Sequence, residues 1–217
     1  MKIAVLGTGS VGQTLAAKCA DLGHHVVIGT RDPERLSDEF ALFLDSHSAV
    51  KALNFSGAVS FGDLVINAVS GAHTLKALQL AGAENLSDKV LIDVANPLDF
   101  SKGMPPTLSV CNESSLAEEI QLAFPNVRVI KSLNTMTASL MVKPSLLDGD
   151  HQVFINGNSA DAKDVVRALL QEFGWKASNI VDLGDITASR GVEMYLPLWL
   201  RIYGAMGTAL LNVRIVK

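Results

Sequence analysis

Residues 1–12 read Met-Lys-Ile-Ala-Val-Leu-Gly-Thr-Gly-Ser-Val-Gly. An apolar run, Ile3 to Leu6, enters a Gly-x-Gly-x-x-Gly turn formed by Gly7, Thr8, Gly9, Ser10, Val11 and Gly12. A helical stretch follows from about Val11 to Leu22, and a second β-branched run begins at Val26. The hexapeptide alone is common. Between a strand and a helix, with another strand close behind, it is the turn that cradles a dinucleotide pyrophosphate. Gly7 permits the tight turn, Gly9 lets the backbone approach the phosphates, and Gly12 lets helix and strand pack closely. The helix start then offers free N–H groups and the positive end of its dipole.

The same alternation continues outward. Val26–Ile28, Leu64–Asn67, Val90–Asp93 and Val127–Ile130 are further strand candidates, with a weaker one near Ala52–Phe55. Helices are expected over Asp32–Ser46 and Ala72–Leu80. Apolar runs without alternation indicate strands covered on both faces. The expected fold is therefore α/β: a Rossmann-type, doubly wound, mostly parallel sheet. After Asn134 the pattern loosens. Val153–Asn156 reads as a strand, and Ala160–Phe173 as an amphipathic helix with Val165, Val166, Leu169, Leu170 and Phe173 at helical spacing. Ile180–Leu183 reads as a short edge strand, and a long apolar helix interrupted by glycine follows from about Arg190. The expected organisation is a nucleotide-binding domain over 1–150 and a small C-terminal lobe, 151–217, packed on it.

Composition narrows the function. Of 217 residues, 48% are hydrophobic and 18% charged, which excludes a disordered chain. The net charge of −4 argues against nucleic-acid binding. Cys19 and Cys111 have no metal-ligand spacing and read as ordinary thiols of a reducing compartment, so no metal site and a cytoplasmic location are expected. The N-terminal apolar run is too short for a signal peptide or a span. The most apolar stretch, Met194–Val213, is interrupted by Arg201, Asn212, Pro197, Gly204 and Gly207, and is expected to be a buried helix rather than a membrane segment.

The end of the second strand selects the cofactor. An NAD site places Asp or Glu there for the ribose 2′-hydroxyl. Here the sequence is Gly29-Thr30-Arg31-Asp32-Pro33. Thr30 stands where the acid is expected, and Arg31 follows at once. A hydroxyl and a guanidinium bond a 2′-phosphate that a carboxylate would repel, so NADP(H) is expected over NAD(H). Arg35, one turn into the following helix, is a further candidate, and Asp32 with Pro33 reads as that helix's cap and first turn.

Ligands of open α/β sheets lie outside the carboxyl ends of the strands. Small residues at Ala68, Val69 and Ser70 leave room for the ribose and diphosphate. Asn96, next to Ala95, carries an amide able to meet a ribose or carboxamide, and Asn134 and Thr135 follow the next strand. Any one of Asn67, Asn96 and Asn134 can instead be a loop-capping amide, but all three together are not expected to be structural. No Ser/His/Asp triad stands at these ends. His73 and Lys131 are the two candidate proton donors; His73 also reads as a helix-start residue, and Lys131 as a charge at a sheet margin. Hydride transfer between two planar rings requires positioning and exclusion of water more than a side-chain acid.

The segments Met1–Gly12, Gly29–Pro33, Asp93-Val-Ala-Asn-Pro97, Lys131-Ser-Leu-Asn134 and Asp182-Leu-Gly-Asp185, in this order and spacing, resemble the NADPH-dependent coenzyme F420 reductase family. Its relatives include the oxidoreductase domain of the six-transmembrane metalloreductases. The resemblance covers nearly the whole chain. It implies NADP(H) held by the Gly7–Gly12 turn, Thr30, Arg31 and the loops at 68–70 and 95–96. It implies a deazaflavin or flavin acceptor near Asn134 and Thr135, and a homodimer through the C-terminal helices. The Asn134-Thr135-Met136 loop departs from the archaeal deazaflavin-reducing members, which leaves the acceptor open. Two other readings compete: an NADPH-dependent reductase of a small imine or carbonyl compound, and a non-catalytic NADP(H) sensor.

Overall fold

The computed structural model describes residues 1–216. Strand β1 (Lys2–Leu6) leads through the glycine turn into α1 (Ser10–Asp21), then β2 (His25–Thr30), α2 (Asp38–Ser46) and β3 (Lys51–Asn54). The short α3 (Phe55–Phe61) returns the chain to β4 (Leu64–Asn67). Next come α4 (Gly71–Ala81), α5 (Ala83–Leu86) and β5 (Val90–Asp93). A two-stranded excursion, β6 (Leu98–Asp99) and β7 (Thr107–Leu108), precedes α6 (Leu116–Ala123), β8 (Arg128–Ser132) and α7 (Ala138–Val142). The chain ends with β9 (Val153–Asn156), α8 (Ala160–Glu172), β10 (Ile180–Asp182) and α9 (Ser189–Met206).

One sheet holds eight of these strands in the order β3-β2-β1-β4-β5-β8-β9-β10. All neighbours are parallel except β8 and β9. The order reverses between β1 and β4, the switch point where doubly wound sheets bind ligands. Alternate residues of each strand serve the two faces. Ile3, Val5 and Ile28 pack on one side with Leu15 of α1 and Val166 of α8. Ala4, Leu6 and Val27 pack on the other with Ala58 of α3, Leu78 of α4 and Ile120 of α6. β9 and β10 extend this same sheet, so the chain after residue 150 shares its core with the first part.

Four expectations need correction. The helix expected from Asp32 begins at Asp38, because Ser37 accepts from the Phe40 N–H and Asp38 and Glu39 fill the first turn. Asp32 instead caps a turn by accepting from the Glu34 N–H, which puts Arg35 on a loop rather than one turn into a helix. Val165 faces outward from α8, whose buried stripe is Ala162, Val166, Leu169 and Leu170. The strand expected over Val127–Ile130 runs on to Ser132, which carries Lys131 into the interior. The C-terminal apolar stretch is not a buried helix. α9 ends at Met206, buries Ser189, Val192, Glu193 and Leu196, and leaves Leu198 and Met206 exposed at 56% and 68%. Its inner face meets α6, while Leu198, Tyr203 and Met206 of its second half are exposed.

Candidate active site

The glycine turn is built by close backbone approach. Gly7 has φ +115°, and a Cβ there would lie 2.6 Å from the Ala68 carbonyl oxygen. A Cβ on Gly12 would lie 2.1 Å from the Gly7 carbonyl oxygen. These two glycines knit β1, α1 and the β4 loop together. Gly9 differs: nothing lies within 4 Å of where its Cβ would be. It is the N-cap of α1 and offers no side chain to the first-turn N–H groups. Those donors are left for a ligand, as phosphate recognition at a helix start requires. Gln13 steadies the turn by donating from Nε2 to the Thr8 carbonyl (2.7 Å).

In front of this turn lies a cleft of about 780 Å³, lined by Gly7, Thr8 and Gly9 and by Ala68, Val69 and Ser70. That volume lies within the usual range of cofactor sites, about 300–1,000 Å³. One wall carries Thr30, Arg31 and Arg35, with Ser37 beyond them. The Arg35 side chain is 89% exposed and lies 3.9 Å from Asp32. A second wall comes from α4: His73, Lys76, Ala77 and Leu80. Lys76 and Leu80 escaped the sequence reading. Their signal was available, since positions 73, 76, 77 and 80 recur at helical spacing beyond a strand-end loop. Arg31, Arg35 and Lys76 outnumber the single carboxylate of Asp32, so the cleft favours an anion. The donors at the α1 start, the open space at Gly9 and this cationic rim fit a 2′-phosphorylated dinucleotide. His73 belongs to this wall of the cleft and not to the buried strand ends.

The sequence-predicted residues Ala95, Asn96, Asn134 and Thr135 lie at the ends of β5 and β8 and do not line this cleft. Asn96 and Asn134 hold each other: Asn96 donates to the Asn134 carbonyl (2.8 Å), and Asn134 donates to the Asn96 side-chain oxygen (2.9 Å) and the Val192 carbonyl (3.1 Å). Asn96 is partly exposed; Ala95, Asn134 and Thr135 are buried. Ser10 and Val11 begin α1, and Gly12 is buried beneath them. The structure thus gathers Gly7, Thr8, Gly9, Thr30, Arg31, Arg35 and residues 68–70 on the cleft; Ser10, Val11, Gly12 and Asn96 and the buried Ala95, Asn134 and Thr135 do not line it.

Beneath these loops runs a buried polar row. Asn67, Asp93, Lys131 and Asn156 are register neighbours on four adjacent strands, and all four are fully buried. Asn67 donates to Asp93 (2.7 Å). Lys131 Nζ lies 2.7 Å from Asp93, 2.7 Å from Glu193 and 2.5 Å from the Ala95 carbonyl. All three ammonium protons therefore have acceptors. Burial pulls the Lys131 ammonium down, but the Asp93 and Glu193 carboxylates outweigh it and hold the group above its ordinary value. Lys131 is not a charge at a sheet margin, and a fully buried, fully paired ammonium has no proton to offer a substrate. Burial pushes the Glu193 carboxyl up. Its partners, Lys131 and the Leu116 and Ala117 N–H groups, are all donors, so its oxygens serve as acceptors. Asn67 is likewise structural: its oxygen accepts from the Val69 N–H (3.3 Å).

A switch-point cleft with an N-terminal glycine turn and a cationic rim defines a Rossmann-type protein fitted to a 2′-phosphorylated dinucleotide. Comparison with known proteins agrees. The family model "NADP oxidoreductase coenzyme F420-dependent" matches residues 2–97. A crystal structure described as a putative F420-dependent NADP-reductase from Arthrobacter sp. FB24 is 52% identical, covers all of both chains, and superposes with a TM-score of 0.96. The F420-dependent NADP reductase of Methanothermobacter thermautotrophicus is 29% identical over 212 residues, 93% of this chain and 89% of that one. Metalloreductase STEAP3 of Rattus norvegicus is 29% identical over 203 residues, 91% of this chain but only 38% of that protein. The chain belongs to the coenzyme F420-dependent NADP oxidoreductase family. Among the described residues no helix is long and apolar enough to cross a membrane.

Proposed function

We propose that the protein transfers a hydride between NADPH and a deazaflavin of the F420 type, with a flavin as the nearest alternative acceptor. The observation that carries this reading is the engagement of Lys131. Lys131, Asp93 and Glu193, which lie under the Asn96–Asn134 end, are locked to one another and buried, so none of the three is free to protonate a developing alkoxide or amine. Transfer between two ring systems has no such need, and the full-length likeness to a putative F420-dependent NADP-reductase supports the same acceptor class. NADPH supplies the hydride from its dihydronicotinamide ring. Thr30 and Arg31 bind the 2′-phosphate, the α1 start binds the diphosphate, and Asn96 orients the nicotinamide end. The acceptor lies against the Asn134–Thr135 loop and takes its proton from solvent.

The reading includes a homodimer through the exposed apolar half of α9, where Leu198, Tyr203 and Met206 lie on the surface of the single chain, and a cytoplasmic setting. Sedimentation analysis tests the dimer: Leu198→Glu with Met206→Glu is expected to shift the wild-type species to half its mass, and a monomeric wild type would contradict it. The acceptor is tested by stopped-flow absorbance, mixing NADPH with enzyme and F420, and separately with FMN, FAD and a small quinone. Fast oxidation by F420 is expected. NADPH binding without transfer to any of the four would contradict the reading.

A further inference from the structure

The buried row does more than fill the sheet. Two of its members, Asn67 and Asp93, grip the loops leaving their own strands. Asn67 Oδ1 accepts from the Val69 N–H, and Asp93 Oδ1 accepts from the Ala95 N–H (3.3 Å). Lys131 reaches across to the Ala95 carbonyl, so Asp93 and Lys131 together clamp both polar atoms of that residue. The loops held are those before Ser70 and Asn96, and they touch: a Cβ on Gly71 would lie 2.1 Å from the Asn96 carbonyl oxygen. The other side of the row grips the last helix. Glu193 joins Lys131 to the start of α6, Asn156 donates to Ser189 Oγ (2.6 Å), and Asn134 donates to the Val192 carbonyl. Leu133, between Lys131 and Asn134, holds φ +65°, a left-handed conformation that a bulky residue keeps only when its surroundings impose it.

We propose that Lys131 is a positioning residue: held by Asp93 and Glu193, it fixes the 95–96 backbone, and so the Asn96 amide, against the nicotinamide–ribose half of the dinucleotide, with α9 as the brace. This rests on NADP(H) lying along the strand ends as proposed above. A purely structural role would affect both halves of the cofactor alike. A positioning role affects only the half beyond the diphosphate.

The test compares NADPH with 2′,5′-ADP, which carries only the half bound by Arg31 and Thr30. Removing Lys131 alone would strand two buried carboxylates, so the variant is Asp93→Asn/Lys131→Met/Glu193→Gln, which neutralises the group together. Affinity for 2′,5′-ADP, by calorimetry, is expected within about twofold of wild type because the sites are separate. NADPH affinity relative to 2′,5′-ADP is expected to fall about tenfold or more through lost orientation. The fluorescence lifetime of bound NADPH is expected to move toward that of free NADPH. An unchanged NADPH to 2′,5′-ADP ratio, or equal loss for both, overturns the proposal. If the triple variant does not fold, Glu193→Gln decides: a fall of about threefold in the ratio supports the brace, and no change overturns it. Wild-type protein that binds neither nucleotide would sink the cleft assignment instead, so the two failures are distinguishable.

Discussion

The two halves of the candidate site are built on opposite physical plans. The phosphate half is open. Its donors are backbone N–H groups at a helix start, its selective groups are the half-buried Thr30 at the end of β2 and the exposed Arg31 after it, and its shape comes from glycines that allow close approach. The half at β5, β8 and α9 is closed. Its polar groups are spent on one another inside the sheet, and Asn96, partly exposed, pairs its amide with Asn134. Binding of charge can be done by groups facing water, because phosphate brings its own charge to them. Holding a ring at a fixed distance from a second ring requires rigidity, which buried, fully satisfied networks provide.

The same contrast decides how hard each half should be to break. Lys131→Met alone is expected to be the most damaging single change, costing about 3–5 kcal/mol as two buried carboxylates lose their cation. Urea unfolding measures it, and a midpoint near wild type would mean the carboxylates do not depend on Lys131. Gly12→Ala is expected to cost about 1–3 kcal/mol, since its Cβ would fall 2.1 Å from the Gly7 carbonyl and backbone must move. Gly9→Ala, with nothing within 4 Å, is expected to leave stability nearly unchanged while weakening NADPH binding. Equal stability losses at the two glycines would erase the distinction between packing and ligand space.

A smaller effect concerns pH. Hydrogen bonds from Arg190 hold the Glu118 carboxyl below its ordinary value of 4.5, tying α9 to α6. A carboxyl lowered by folding contributes stability above its unfolded value, and that contribution is lost as pH falls through the folded value. Melting temperature followed from about pH 6 to pH 3 is therefore expected to fall less steeply in Glu118→Gln than in wild type. A parallel pair of curves would contradict the assignment. Smallest of all, a thiol reagent is expected to label exposed Cys111 in the native protein and Cys19 only after unfolding, because burial pushes the Cys19 thiol up to about 12.

The two halves also differed in legibility. Gly7, Gly9, Gly12, Thr30 and Arg31 announce their work through spacing and local chemistry, and the structure puts all but the buried Gly12 on one cleft. The buried row left a fainter trace. The runs Leu-Val-Ile-Asn67, Val-Leu-Ile-Asp93, Val-Ile-Lys131 and Val-Phe-Ile-Asn156 each close on a polar residue. Taken singly, each looks like a strand running out into a loop. Only the register, which pairs Asn67 with Asp93 and Asp93 with Lys131, shows that they meet. Glu193 lies 62 residues beyond Lys131, and nothing local to either marks the partnership. Arg35 shows the opposite failure: Pro33 drew the helix start too early, because Ser37 with Asp38 and Glu39 is the stronger cap.

The most direct test of the account is calorimetric titration of NADPH and NADH into wild-type protein and into Arg31→Ala. The account predicts that wild type strongly prefers NADPH. It predicts that Arg31→Ala loses roughly 1.5–3 kcal/mol of NADPH binding, the worth of a charged hydrogen bond, with NADH little changed. Equal losses for the two nucleotides, or a wild type indifferent to the 2′-phosphate, would contradict it.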